Sequence, residues 1–341
     1  MNHASLDGRR DRPRMGRRIV LGLLTVGPLL YGCQGKDRSA PFGSGSADPA
    51  SFTREDWSFA RSKGVRLTSE HYVLYTTCTS KSFVDALPGF LETCWRAYGE
   101  LMPSPLVLER KLDVYLFQRR WEWERFTEQF NPERAGVYKR IRSGGYSERG
   151  ITVSHYSSPR AALSVLAHEG LHQYLALTRG ETVPPWLNEG LAAYFEAFDV
   201  DSETNRPTFK PETNYLRTGS LREALAAHSL IPLERILATH AGLEIQERVA
   251  HVRSYYAQVW SLVLFLNRTD QDNTYRDGFV QLLREAGTEA MDRRARAFLA
   301  ADPEGRMSYG EAVFRAYITD DLSTFQTRYE AYLHKLLGLQ A

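Results

Sequence analysis

Two histidines and a glutamate near the middle of the chain have the types and spacing of a metal site. His168 and His172 stand four residues apart in the motif H-E-x-x-H. Residues four apart lie one above the other on an α-helix, so both imidazoles can bind one ion, and neutral histidine is a good ligand for Zn²⁺. Glu169 lies beside them, where its carboxylate can reach a metal-bound water and act as a general base in hydrolysis.

The sequence before this motif favours a buried helix. Residues 161–166 are apolar apart from one serine. Burying two histidines and a glutamate there without a partner would be costly, and a bound metal ion removes that cost. The alternative is a chance occurrence of the motif on a helix that binds no metal.

A catalytic zinc ion needs a third protein ligand beside a water molecule. Thr178 occupies the position six residues after His172, which excludes a three-histidine pattern. Glu189 is the best candidate, since it lies 17 positions after His172 on the next predicted helix. Two histidines and one carboxylate would leave the site with a net positive charge. It could instead be a first-turn residue favoured by the helix dipole. Glu196, two turns further on, either hydrogen-bonds a ligating histidine or is a solvated charge.

The two motifs together resemble those of the gluzincin zinc metallopeptidases. The second, Trp186-Leu187-Asn188-Glu189-Gly190-Leu191-Ala192, is very like the W-L-N-E-G-F-A segment of the aminopeptidase branch, although the G-x-M-x-N element of that branch is missing. The layout from 65 to 335 is most similar to uncharacterised peptidase-MA-like proteins of bacterial exported and lipid-anchored type. The resemblance implies a zincin-like fold, one Zn²⁺ per chain and a peptide or protein substrate.

The resemblance also implies an oxyanion donor on a later helix. Gluzincins use a tyrosine or histidine there, and residues 254–263 look like the matching segment. Tyr256 is the first choice and Tyr255 the alternative, with the phenolic O–H donating to the developing charge. The competing interpretation is an aromatic residue that only packs in the core.

A substrate-binding strand is implied in the same way. Gluzincins bind the substrate backbone along an edge strand before the motif helix, and residues 150–154 form the matching stretch, with 144–146 nearby. Gly150, Ile151 and Thr152 are therefore the predicted substrate-binding residues.

The elements that must position these residues form an α+β pattern. Strands are predicted at 65–77, 111–117 and 150–154, and early helices at 80–101 and 119–130. Later helices are predicted at 159–177 (with Gly180 as its stop), 186–198, 221–228, 232–239, 246–267, 276–286, 289–300, 309–318 and 322–337, with a polar loop at 199–213. An α/β subdomain at 52–180 would carry the H-E-x-x-H helix, and a helical subdomain at 181–341 the third ligand. Gly190 is expected to let the second metal-site helix approach the first closely.

The N-terminus has the pattern of an export signal over residues 1–33. A basic stretch precedes 13 apolar residues, Ile19 to Tyr31, which are too few to span a membrane. Leu30-Tyr31-Gly32-Cys33 resembles a bacterial lipobox and predicts lipidation of Cys33; a plain secretory signal or an N-terminal anchor are the alternatives. Residues 34–51 predict a flexible tether. The expected location is the cell envelope, on the periplasmic side or in the outer membrane, with membrane contact through the lipid alone.

Composition limits the partners. The chain is 43% hydrophobic and 25% charged with a net charge of +2, and six of its arginines lie in the first 18 positions. No concentrated basic face remains, so we expect no nucleic-acid binding. We also expect the protein to be a monomer. With Cys33 assigned to the lipid, Cys78 and Cys94 are left, and a pair in an exported protein favours a disulfide; two buried free thiols are the alternative.

Three functions are compatible with this sequence. The first is a zinc-dependent peptidase held outside the cytoplasmic membrane. The second is a non-catalytic binding module on the cell envelope that keeps the metal for structure. The third is a zinc hydrolase that acts on a non-peptide amide. The fourth zinc position discriminates the binding module from the enzymes, because catalysis requires that position to be open to water.

Overall fold

The computed structural model describes residues 51–103, 110–141, 144–180, 182–201, 206–239, 249–270 and 273–339. The predicted export signal, Cys33, nearly all of the predicted tether and the predicted helix start at 246–248 lie outside these residues. Within the described part of the chain, no helix is both long and apolar enough to cross a membrane. The fold is α+β, as predicted, with a mixed six-stranded sheet followed by a mainly helical half.

The sheet has the order β1-β2-β3-β4-β6-β5. Its strands are β1 (Thr53–Phe59), β2 (Ser62–Thr68), β3 (Tyr72–Thr76), β4 (Leu112–Phe117), β5 (Gly145–Glu148) and β6 (Ile151–His155). β4 runs parallel to β3 and to β6, and the other neighbours are antiparallel. The single strand predicted at 65–77 is two strands, because the Glu92 carboxylate accepts hydrogen bonds from Ser69 and His71 and holds a bend between them.

Helices form most of the remaining structure. They are α1 (Lys81–Leu101), α2 (Arg120–Phe130), α3 (Ala135–Tyr138), α4 (Pro159–Thr178), α5 (Pro185–Tyr194), α6 (Tyr215–Ala226), α7 (Leu233–Ala238), α8 (Val249–Asn267), α9 (Arg276–Glu285), α10 (Glu289–Ala300), α11 (Tyr309–Tyr317) and α12 (Leu322–Leu336). α5 ends earlier than predicted, because Phe198–Val200 (β7) pairs with Pro207–Phe209 (β8) in a small hairpin. α6 starts earlier, because Asn214 Oδ1 accepts the N–H of Arg217 as an N-cap.

The sheet separates two apolar layers. α1 and α4 pack on one face, where one large core extends from Leu67 of β2 to Leu337. α2 and α3 cover part of the other face over a smaller aromatic core around Trp123 and Tyr146. The large core continues across residue 180, so the two predicted subdomains share it and the site is built where they meet.

The predicted disulfide is wrong. Cys78 and Cys94 are both buried free thiols. α1 begins at Lys81, and Cys94 lies thirteen residues later, about 20 Å along the helix at 1.5 Å per residue. The three residues that lead from Cys78 to Lys81 span at most about 11 Å, so the chain cannot return Cys78 to the separation of under about 7 Å that a disulfide needs.

Candidate metal centre

The motif helix α4 is held by contacts from both sides. Ser158 caps its N-terminus by accepting the N–H of Ala161, and Gly180 ends it with a φ of +71°. From α1, Tyr98 Oη donates to the carbonyl of Ala167 at 2.5 Å. From the sheet side, the Gln173 amide donates to the carbonyls of residues 113 and 150. The helix therefore cannot rotate without breaking buried hydrogen bonds.

Three predicted ligand atoms meet in one place. His168 Nε2 and His172 Nε2 are 3.2 Å apart, and Glu189 Oε2 lies 3.4 Å from each. All three residues are buried, with the least buried, His172, 5% exposed. The prediction that α4 and α5 bring these three side chains together is confirmed.

Neighbouring oxygens set the tautomers of the two histidines. His168 Nδ1 lies 2.8 Å from Glu196 Oε1, and His172 Nδ1 lies 2.7 Å from Asn188 Oδ1. Both oxygens only accept hydrogen bonds, so both Nδ1 atoms carry the proton. Each Nε2 of a neutral imidazole then turns a lone pair toward the point that the three donors share.

This donor set fits a zinc ion. Ligands at about 2.0–2.1 Å in a tetrahedral arrangement lie about 3.3 Å apart, close to the observed separations of 3.2 and 3.4 Å. Two lone pairs and a carboxylate oxygen at such distances repel one another unless a cation lies between them. Two histidines and a glutamate are also one of the ligand sets of catalytic zinc.

The charges of the site itself favour a positive charge at its centre. Burial lowers the pKa of His168, but the nearby Glu189 and Glu196 outweigh this and raise it to about 9. Burial raises the pKa of Glu189, but the charges of His172 and His168 outweigh this and lower it to about 2. A proton satisfies this demand without metal, and a divalent cation satisfies it more fully.

Glu169 is a buried carboxylate with no hydrogen-bond partner among the described residues. It is 0% exposed, and both Oε atoms lack a partner. Burial, with a smaller contribution from Glu189 and Glu196 against the two histidines, raises its pKa to about 7. A buried polar group without a partner is rare in folded proteins and needs a reason, such as a bound water or substrate that supplies the missing contact.

Glu196 is the hydrogen-bond partner of a metal-site histidine, the first of its two predicted roles. Besides His168, it accepts hydrogen bonds from Arg217 and from Asn214 Nδ2 at 2.8 Å. Burial raises its pKa, but the Arg217 guanidinium outweighs this and lowers it to about 2. The carboxylate is therefore ionised and fixed in orientation.

Tyr256 lies beside the metal site. Its ring is 1% exposed and its centroid is 6.0 Å from that of His168, in an edge-on arrangement. Tyr255 also lies in the core, and its Oη donates to the carbonyl of Thr239 at 3.5 Å. Tyr256 therefore has a ring contact with a candidate metal ligand, while the Tyr255 hydroxyl contacts the backbone.

The stretch predicted to bind substrate is not an edge strand. β6, which contains Ile151 and Thr152, pairs with β4 on one side and β5 on the other, and Gly150 lies in the turn before it with a φ of +75°. Thr152 is buried under Gln173. The free edge beside α4 belongs to β5, which begins at Gly145.

Three further features of the site were not predicted from the sequence. Gly190 permits a close approach to α8 rather than to α4, since a Cβ there would lie 2.6 Å from Val259 O. Asn188 accepts the hydrogen bond of His172 Nδ1, and the sequence signal for this role is its position next to Glu189 in the second motif. Arg217 had no sequence signal, because only the fold brings it to Glu196.

Comparison with known proteins adds one similarity. A family described as a protein of unknown function (DUF1570) matches residues 162–290. No curated protein matches the chain, and no solved structure matches it. The chain is therefore similar to that family over a stretch that includes the three candidate ligands, Glu169, Glu196, Arg217 and Tyr256.

Proposed function

We propose that this protein is a zinc-dependent peptidase in which Glu169 is the general base. One observation carries the proposal: the buried Glu169 carboxylate has no hydrogen-bond partner among the described residues, and it interacts electrostatically with all three converging donors of a catalytic zinc set. A metal kept only for structure gives no reason to bury a carboxylate without a partner, whereas hydrolysis requires a base there. The peptide substrate is proposed from the resemblance of both motifs to gluzincin metallopeptidases.

Each side chain has a role in the proposed reaction. His168, His172 and Glu189 would hold the ion, which when bound lowers the pKa of a water and polarises the scissile carbonyl. Glu169 accepts the proton of the attacking water and then passes it to the leaving amine. Tyr256 donates its O–H to the oxygen that becomes negative.

The number of donors favours catalysis over a structural metal. Among the described residues, the candidate group holds three donors and no fourth histidine, cysteine, aspartate or glutamate. Structural zinc is usually closed by four protein ligands, and catalytic zinc keeps one position for water. Lipidation of Cys33, the envelope location and the monomeric state remain predictions.

The test compares the wild type with Glu169→Gln. We expect equal zinc content by elemental analysis, and a fall in chelator-sensitive cleavage of a peptide mixture by about 10²-fold or more, because glutamine cannot accept the proton. Glu128→Gln, an exposed glutamate on α2, is the matched control and should retain wild-type cleavage. Full activity of Glu169→Gln would refute the mechanism. A zinc-loaded wild type that cleaves no peptide would instead favour the binding module.

A further inference from the structure

Arg217 is a buried charge that the proposed reaction does not use directly. It lies on α6 and is 2% exposed. Its guanidinium makes two bonds to Glu196, Nε to Oε2 at 2.8 Å and Nη2 to Oε1 at 2.5 Å. This two-pronged geometry fixes the plane of the carboxylate, which a single point charge would not do.

The same guanidinium lies against the Tyr256 ring. Its Cζ is 4.8 Å from the ring centroid. A guanidinium over the face of a tyrosine is attracted by the ring, and the attraction is stronger where both groups are desolvated. This contact joins α6 to α8 beside the metal site.

The contacts form a closed circuit of four side chains. Arg217 donates to Glu196, and Glu196 accepts a hydrogen bond from His168 Nδ1 at 2.8 Å. The His168 ring packs against the Tyr256 ring, and the Arg217 guanidinium lies over that same ring. A shift of any member therefore moves the others. A buried ion pair adds little net stability compared with apolar packing, so the arrangement is better explained by orientation than by stability.

We propose that Arg217 is a positioning residue, which couples the orientation of the metal ligand His168 to that of the Tyr256 ring through Glu196. The inference rests on the proposed function. It predicts that Arg217 acts on the chemical step as well as on metal affinity, without touching substrate. Lysine cannot replace it, because an ammonium pairs with the carboxylate but lacks the fork and the planar face.

Arg217→Lys is the first test variant, since it keeps a cation beside Glu196. We expect kcat to fall about tenfold or more with KM within about twofold, as for other groups that support a metal ligand. Arg222→Lys, on the exposed side of the same helix, is the control and should match the wild type. The double variant Arg217→Met/Glu196→Gln leaves no unpaired buried charge, so it tests the inference even if Arg217→Lys does not fold. Its zinc affinity, measured by competition with a chromogenic chelator, should fall about tenfold or more.

A mutant cycle with Tyr256→Phe separates positioning from a general structural effect. If Arg217 orients the Tyr256 hydroxyl, Arg217→Lys lowers kcat much less when that hydroxyl is already absent. Additive losses would overturn the inference, as would a Tyr256→Phe variant with wild-type kcat. If the Arg217 variants keep wild-type kcat and zinc affinity, this inference is refuted and the proposed function stands. If the wild type neither binds zinc nor cleaves peptides, both are refuted.

Discussion

Gly190→Ala should force apart the two helices that carry Glu189 and Tyr256. A Cβ at position 190 would lie 2.6 Å from the backbone oxygen of Val259 and 2.6 Å from Val263 Cγ2, whereas ordinary contact is 3.4–4 Å. Because a backbone oxygen in a helix cannot swing aside, α5 and α8 would have to separate locally by roughly 0.8 Å. That exceeds the tolerance of about 0.5 Å for a binding constellation.

The size of the effect can be separated from helix propensity. Replacing glycine by alanine inside a helix stabilises it by up to about 1 kcal/mol, and overpacking a core costs about 1–3 kcal/mol. Gly219 on α6 is the matched control, because a Cβ there meets nothing within 4 Å. We expect Gly219→Ala to be as stable as the wild type or slightly more so. Gly190→Ala should be about 1–3 kcal/mol less stable than Gly219→Ala.

Urea unfolding of the zinc-free variants measures the free energy of unfolding, and competition with a chromogenic chelator measures zinc affinity. The displacement of Glu189 should lower zinc affinity in Gly190→Ala and leave it unchanged in Gly219→Ala. If Gly190→Ala matches Gly219→Ala in both measurements, the close packing of α5 on α8 does not hold the third ligand and the reasoning is refuted.

Three further predictions concern the surroundings of the site. Tyr98→Phe removes the hydrogen bond to the α4 backbone and should lower the free energy of unfolding in urea by about 0.5–1.5 kcal/mol. Cys78 and Cys94 should both react with a thiol reagent after unfolding without reductant, and neither should react in the folded protein. The reason is that burial shields both thiols and raises the pKa of Cys78 to about 11. If the two cysteines resist the reagent after unfolding, they are not free thiols. The Arg217 guanidinium outweighs the effect of burial and lowers the pKa of Glu196 to about 2. The ionised carboxylate therefore stabilises the fold fully above pH 4.5, and this contribution is lost as the pH falls through about 2. In a pH titration, the free energy of unfolding of Glu196→Gln should therefore fall less at acid pH than that of the wild type.

Local features of the fold were predictable where one signal dominated. Helix α4 has a Ser-Pro start, a continuous apolar pattern and a glycine stop, and these act within a few residues of one another, so its span followed from the sequence. The division of residues 65–77 into β2 and β3 was not predictable locally, because the bend between the strands depends on hydrogen bonds to Glu92, which lies on α1. The edge strand β5 was missed for a related reason: Gly145 is suited to a turn, and only its pairing with Ser154 makes it a strand.

The sequence alone determined the two candidate histidine ligands and the candidate base, because helical spacing puts His168, Glu169 and His172 on neighbouring positions whatever the rest of the chain does. The tertiary structure decided everything that depends on contacts between elements. It brought Glu189 to the two histidines, assigned Glu196 to His168 and set Arg217 against Tyr256. The physical reason is that a hydrogen bond or ion pair across tens of residues leaves no periodic pattern in the sequence, whereas a helix repeats every 3.6 residues.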